Sequence, residues 1–231
     1  MQSPNYDLAR RLRAAAAVIL AVTSGATDAV SFLALGGAFT SVMTGNLVLL
    51  GISLGQADGS LTRQIGAAVV GYVAGCAIGA RIVGTEAAEG PIWPSAVTRG
   101  LVVEAALFAV YAIGWWAVGP HPRAAQAAML LGLSGIALGM QSSTVRRFGV
   151  SGLSTTYLTG TLTTLVIRLA TGGRFLDVAR HMSLLVALVC GATTAALLLS
   201  LHAPGFVPLV QLLPLGMAVL ISIPATRARQ T

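Results

Sequence analysis

The chain has 231 residues, of which 55% are hydrophobic and 9% are charged, and its formal net charge is +7. Because an ordinary soluble domain carries about a quarter charged residues, this composition excludes a soluble protein and indicates an integral protein of the lipid bilayer. All fourteen basic residues are Arg and lie at the ends of apolar runs, so they do not form the clustered patch of a nucleic-acid-binding domain.

Hydropathy predicts six full transmembrane helices, near residues 14–35, 64–83, 100–118, 124–145, 182–203 and 206–224. The first follows an Arg-rich stretch and resembles a secretory signal, but it has full bilayer length and more spans follow, so we expect no cleavage. Two further apolar segments, residues 36–55 and 148–169, are interrupted by Gly and Thr. The predicted fold class is an all-α integral membrane bundle of six full spans plus two broken or re-entrant segments, in one membrane domain over residues 1–231.

The two interrupted segments are related to each other. Residues 36–54 and 151–169 are identical at eight of nineteen positions without a gap, at an offset of 115. This self-similarity predicts an internal duplication, with repeat one near residues 14–118 and repeat two near 124–224. Each copy has a polar Thr-Gly pair inside an apolar stretch. Paired interruptions of this kind are typical of transporter binding sites.

The distribution of Arg indicates how the chain crosses the membrane. If both broken segments cross fully, ten Arg lie inside and four outside; if both dip in and return, twelve lie inside and two outside. The positive-inside rule favours the second arrangement, with both termini in the cytoplasm of a bacterial inner membrane. Three crossings per half then make the repeats inverted, whereas four would make them parallel.

Asp28 is the main candidate for a functional group, since it lies in the middle of the first span. A bare carboxylate at that depth costs at least about 2.5 kcal/mol, so it must face a cavity, pair or be protonated. The residue 115 positions later is Ser143, so the acid belongs to one half only. A helix that begins at each Thr-Gly pair would also direct unpaired N–H groups into the membrane, where they favour an anion.

We therefore predict a substrate-binding or coupling site that converges near mid-membrane around a hydrated cavity. Its members are Asp28, Thr44, Gly45, Asn46, Gln141, Thr159 and Gly160. The alternative is that the Thr hydroxyls simply hydrogen-bond across packed helices. Glu104 is expected instead to form an ion pair with Arg99 or Arg81 near the membrane surface. Glycines at every fourth position of one span predict close helix packing; they are Gly71, Gly75 and Gly79.

Several of these stretches resemble the YoaK family of bacterial multi-pass membrane proteins. The first-half residues are Gly25 to Phe32, Phe39 and the run Met43-Thr44-Gly45-Asn46; the second-half residues are Gly139-Met140-Gln141, Arg146-Arg147 and the run 155–160. The chain departs from the family pattern at Ser142 and Thr161, where the family often has Asn. The resemblance covers nearly the whole chain and implies a multi-pass membrane protein. It implies no activity, because the family is a domain of unknown function.

The leading functional hypothesis is a secondary transporter or permease for a small polar or anionic solute, with a proton or cation as coupling ion. The alternative is a non-transporting membrane partner or structural protein. An intramembrane enzyme that uses Asp28 is disfavoured because the acid has no identifiable catalytic partner, and we expect no enzyme, cofactor or metal. The sequence is compatible with a homo-oligomer.

Overall fold

The computed structural model describes residues 4–84, 93–148, 158–172 and 175–227. Over these ranges the chain is helical, without strands, which confirms the predicted all-α class. The helices are α1 (Pro4–Ala34), α2 (Met43–Gly55), α3 (Gly59–Val83), α4 (Ser95–Val118), α5 (Ala124–Arg146), α6 (Leu158–Ala170), α7 (Phe175–Ser200) and α8 (Val207–Arg227), with a short 3-10 turn before α8.

Six of these helices are long and apolar enough to span a membrane. They are α1 from Arg11, α3, α4, α5, α7 from Val178, and the segment 204–223 that contains most of α8, so the six predicted spans are confirmed. The helices α2 and α6 have 13 residues each, which corresponds to about 20 Å of helix. That is shorter than the roughly 30 Å hydrocarbon core of a bilayer.

Consecutive long helices alternate in direction. At one end of the bundle, Gln64 near the start of α3 donates to the carbonyl of Ala124 at the start of α5, over 3.1 Å. At the same end, Trp115 in the last turn of α4 donates to the carbonyl of Pro204, just before α8, over 2.9 Å. One cavity there is lined by the last residues of α1 and α7 and by the α4–α5 link. Hence α1, α4 and α7 run one way, and α3, α5 and α8 run the other.

The opposite end of the bundle contains the start of α1 and most of the described arginines. Arg13 donates to the carbonyl of Phe148 over 2.7 Å, and the ring of Trp93 lies 5.5 Å from that of Phe148. These contacts bring the starts of α1 and α4 to the end of α5. The arginines on helix ends at this side are Arg13, Arg81, Arg99 and Arg146, whereas Arg63 and Arg123 lie at the other side.

Two glycine-rich interfaces hold the closest helix pairs together. In the α1–α7 seam, a Cβ on Gly25 would lie 2.0 Å from the carbonyl oxygen of Leu188, and in the α3–α5 seam, a Cβ on Gly75 would lie 2.1 Å from that of Ile136. The reciprocal contacts are Gly191 on Val22 and Gly139 on Tyr72. Only glycine allows such an approach, which confirms the predicted packing role of the glycine face on α3. The helix α4 packs on α5 and α8, and α8 packs on α1.

Candidate functional site

A polar loop between α1 and α2 turns back onto the side of α1, where Asp28 binds it. The Asp28 Oδ1 atom accepts hydrogen bonds from the backbone N–H groups of Thr40 (2.7 Å) and Ser41 (2.8 Å) and from the Thr40 hydroxyl (3.2 Å). The Ser41 hydroxyl donates to Oδ2. Asp28 is only 7% exposed, so it does not face lipid. Four donors satisfy the carboxylate at a depth where an isolated charge would be costly.

Asn46 fixes the preceding residue of the same loop. Its Oδ1 accepts from the backbone N–H of Phe39 over 2.9 Å, and its Nδ2 donates to the carbonyl of Phe39 over 2.6 Å. The Asn46 side chain is fully buried, and the Phe39 ring stacks on Phe32 at 4.9 Å. The backbone N–H groups of residues 39–41 are thus all hydrogen-bonded within the protein, as a non-helical segment at membrane depth requires.

The segment that contains this loop begins and ends against the same part of α3. A Cβ on Gly36 would lie 2.9 Å from the Cγ of Gln64, and the hydroxyls of Ser53 and Thr62 are 2.9 Å apart. Between these two points the chain reaches Asp28, which precedes the end of α1 by six residues, or about 9 Å of helix rise. The helix α2 then packs mainly on α3. Both ends of this segment therefore lie beside the first turns of α3.

Gln141 of α5 contacts α1 one helical turn before Asp28. Its Nε2 donates to the Ser24 hydroxyl over 2.8 Å and to the carbonyl of Leu20 over 3.3 Å. Ser24 precedes Asp28 by one helical turn, so both side chains lie on one face of α1. The structure thus brings together Asp28, Asn46 and Gln141 of the predicted site around the middle of α1.

Gln211 of α8 extends this polar region and was missed from the sequence. Its side-chain Nε2 donates to the Thr27 hydroxyl over 3.2 Å, and its backbone carbonyl accepts from the Thr23 hydroxyl over 3.1 Å. All three residues are fully buried. The available signal was a single amide side chain inside an otherwise apolar span, which in a membrane indicates an interhelical contact.

The other predicted site residues lie at the starts of the short helices. Thr44 is exposed and Gly45 is half-buried on the first turn of α2, whereas Thr159 and Gly160 are exposed on the first turn of α6, which packs mainly on α7. Within the described ranges, no hydrogen bond links Thr159 or Gly160 to Asp28, and their membership of one site stays a prediction. Residues 149–157, with the Gly and Thr positions of the second predicted break, lie outside the described residues.

The prediction that Glu104 forms an ion pair with Arg99 or Arg81 is wrong. Glu104 is fully buried, and neither of its carboxyl oxygens has a hydrogen-bond partner among the residues that the structure describes. Arg81 and Arg99 are instead exposed. The physical reason is depth: α4 begins at Ser95, so Glu104 lies about 14 Å of helix rise into the span, on the face that packs against its neighbours. A side chain of that length cannot reach the membrane surface from there.

Other parts of the described chain offer less chemistry. The cavity at the Arg-poor end of the bundle has a volume of about 740 Å³ and is lined by His121 and His202 among proline and apolar side chains. Among the described residues, no group of three or more His, Cys, Asp and Glu side chains could hold a metal ion. The buried polar residues around α1 are therefore the strongest candidate site.

Comparison with known proteins agrees with the membrane architecture. Residues 16–221 match the family described as "Protein of unknown function (DUF1275)". The chain is also similar to the UPF0700 transmembrane protein YoaK of Bacillus subtilis (strain 168), with 35% identity over 148 residues, which are 64% of this chain and 63% of that protein's length. No solved structure matches the chain. The resemblance seen in its sequence is thus confirmed, and the chain belongs to the DUF1275 family of membrane proteins, whose function is unknown.

Proposed function

We propose that the chain is a secondary transporter or permease for a small polar or anionic solute. The observation that carries this proposal is the polar loop at residues 39–41, held by Asp28 and Asn46 inside a bundle of apolar helices. A protein that only had to pack in a membrane could keep an unbroken helix, which satisfies its own backbone. Broken segments near buried acids are typical of transporter binding sites.

We further propose that α1–α4 and α5–α8 are inverted repeats, with residues 36–58 as a re-entrant segment. The short helices support this, because α2 and α6 have equal length and begin 115 positions apart. The seams support it as well: Gly139 lies 114 positions after Gly25, and Leu188 lies 116 positions after Tyr72, so each contact has a counterpart with the halves exchanged. Three alternating long helices per half give opposite orientations. The Arg-rich end is then cytoplasmic and contains both termini.

The same correspondence pairs Asp28 with Ser142, 114 positions later, instead of Ser143. The Ser142 hydroxyl accepts from the Tyr72 hydroxyl over 2.9 Å and donates to the carbonyl of Leu138. The acid is therefore present in the first half alone. In this proposal the two halves share a framework but contribute different chemistry to the site.

The backbone donors of the loop are the groups that would bind an anionic solute. In the present conformation, the N–H groups of Thr40 and Ser41 are occupied by the Asp28 carboxylate. A solute anion and Asp28 thus compete for the same donors, near the positive N-terminal end of α2. Solute binding then requires the loop to move away from Asp28, with Thr44, Gly45 and Asn46 on the moving side and Gln141 on the fixed side.

Cysteine accessibility tests transport without knowledge of the solute. Ser24→Cys, in a variant that lacks Cys76 and Cys190, places a thiol at the buried centre of α1. If the protein alternates its access, a membrane-impermeant maleimide will label this thiol from either face of the membrane. Val186→Cys is the matched control, because its side chain is 51% exposed on the outer surface of α7, where lipid excludes the reagent.

The alternative of a non-transporting membrane partner or structural protein has one observation in its favour. The backbone N–H groups of residues 39–41 already have hydrogen-bond acceptors within the protein. In such a protein the thiol of Ser24→Cys stays unlabelled, or is labelled from one face alone. That result would refute the transport proposal.

A further inference from the structure

Glu104 is the buried acid that the proposed site does not use. It is fully buried, and neither carboxyl oxygen has a hydrogen-bond partner within the described parts of the chain. Two turns further along the same face of α4, the Tyr111 hydroxyl interacts with the side chain of Gln211 of α8. This face of α4 thus continues from Glu104 to a buried polar contact with α8.

The two buried acids have opposite surroundings. Asp28 receives four hydrogen bonds from donors of the loop, which stabilise its charged form. Among the described residues Glu104 receives none, and a carboxylate without donors in an apolar interior costs several kcal/mol. The two sites therefore differ in how well their hydrogen-bond donors stabilise a charged acid.

Within the described residues, the helices packed against α4 carry charged side chains only near their ends. On α3 the ionisable groups are Arg63 and Arg81, near its two ends, and Tyr72 and Cys76, which lie near Ser142 and Ser143 of α5. The ionisable groups of α5 and α8 are terminal arginines, Arg146 and Arg227; on α4 itself they are Arg99, which is exposed, and Tyr111. A metal cation would need several oxygen ligands, and the carboxyl has no other oxygen bound to it. A proton is the ligand that this site can accept.

We propose that Glu104 is the proton-binding residue of this protein, neutral in the present conformation and deprotonated when water enters the α4–α8 interface. The inference rests on the proposed transport function and names the proton as its coupling ion. Asp28, which accepts hydrogen bonds from the loop, then belongs to the solute-binding site. The Tyr111 hydroxyl and the Gln211 side chain provide hydrogen-bonding positions for the incoming water.

Infrared difference spectroscopy of the full chain in lipid tests the protonation state directly. Wild-type protein should show the carbonyl stretch of a protonated carboxylic acid, which Glu104→Gln removes and Asp28→Asn retains. The band should disappear reversibly as the pH is raised. Two results would overturn the proposal: a spectrum that Glu104→Gln does not change, or a band that persists at every pH. Glutamine resembles the neutral acid in size, and Glu104→Ala serves as a second variant if the first does not insert.

The accessibility assay separates this inference from the transport proposal. If Ser24→Cys is labelled from both faces, the ratio between faces should depend on pH, and Glu104→Gln should abolish that dependence. Two-sided labelling with a pH dependence that survives Glu104→Gln overturns the role of Glu104 and leaves transport standing. Labelling from one face alone overturns transport, and the coupling role with it.

Discussion

Removal of the Asp28 carboxylate should release the loop that it binds. In Asp28→Ala, the backbone N–H groups of Thr40 and Ser41 lose their acceptor, which holds them at 2.7 and 2.8 Å in the wild type. The two hydroxyls can rotate toward other acceptors, but the backbone donors cannot. The loop is then bound less strongly to α1, whereas the glycine contacts between the long helices are unchanged.

The size of the effect follows from the donors left without a partner. Each buried unsatisfied N–H costs about 1–3 kcal/mol, so two of them lower the free energy of local opening by about 2–6 kcal/mol. Since about 1.4 kcal/mol corresponds to a factor of ten, amide exchange at Thr40 and Ser41 should accelerate by roughly 30-fold or more. Asp28→Asn keeps one acceptor oxygen and loses the charge, so a loss of about 1 kcal/mol and a several-fold acceleration are expected.

Hydrogen exchange of peptides from residues 38–50, measured in lipid nanodiscs, provides the assay. Thr44→Ala is the matched control, because its exposed side chain lies in the same segment and has no hydrogen bond among those that hold the loop. It should exchange at the wild-type rate. Wild-type rates for the Thr40 and Ser41 amides in Asp28→Ala would refute the role of the carboxylate as the loop anchor.

Three further variants test the packing and the helix ends, each by thermal unfolding in detergent. Gly75→Ala should cost about 1–3 kcal/mol, because its Cβ would lie 2.1 Å from the carbonyl of Ile136, whereas Gly51→Ala has nothing within 4 Å of its Cβ and should be neutral or stabilising; equal melting temperatures would contradict this. Ala57→Gly should stabilise by about 1 kcal/mol, since Ala57 has a φ of +54° that costs a non-glycine residue about that much; a lower melting temperature would argue against strain there. Asp58→Ala should cost about 1 kcal/mol, because its side chain accepts from two N–H groups at the start of α3 over 3.0 Å; an unchanged melting temperature would show that the cap contributes nothing.

The architecture of the bundle was largely readable from the sequence because hydropathy and length carry most of the information about spans. The run of apolar residues gave six spans, and all six are long helices. The Gly and Thr interruptions gave the break before Met43, since a helix cannot continue through residues with positive φ such as Gly36 and Gly37. These are local properties, and local sequence is sufficient to predict them.

The partners of the buried polar groups were not readable in the same way. The sequence indicated that Asp28 and Asn46 lie inside the membrane, but not that both bind backbone groups of one loop, which depends on how the loop folds back onto α1. Gln211 was missed because its partners lie on α1, more than 180 positions away. The depth of Glu104 was misjudged because α4 begins at Ser95, five residues before the predicted start of the span.

The two glycine seams divide the molecule differently from its chain order. The α1–α7 seam and the α3–α5 seam each join a helix of the first half to a helix of the second. Backbone-on-backbone contacts of this closeness resist sliding, because any shift forces Cα atoms and carbonyl oxygens together. We therefore expect α1 to move together with α7 and α3 together with α5, because rocking the first half against the second would break both seams. The segment from 36 to 58 connects these two helix pairs, since its loop is bound to α1 and its helix lies on α3, and a change in their relative tilt would act first on the hydrogen bonds to Asp28.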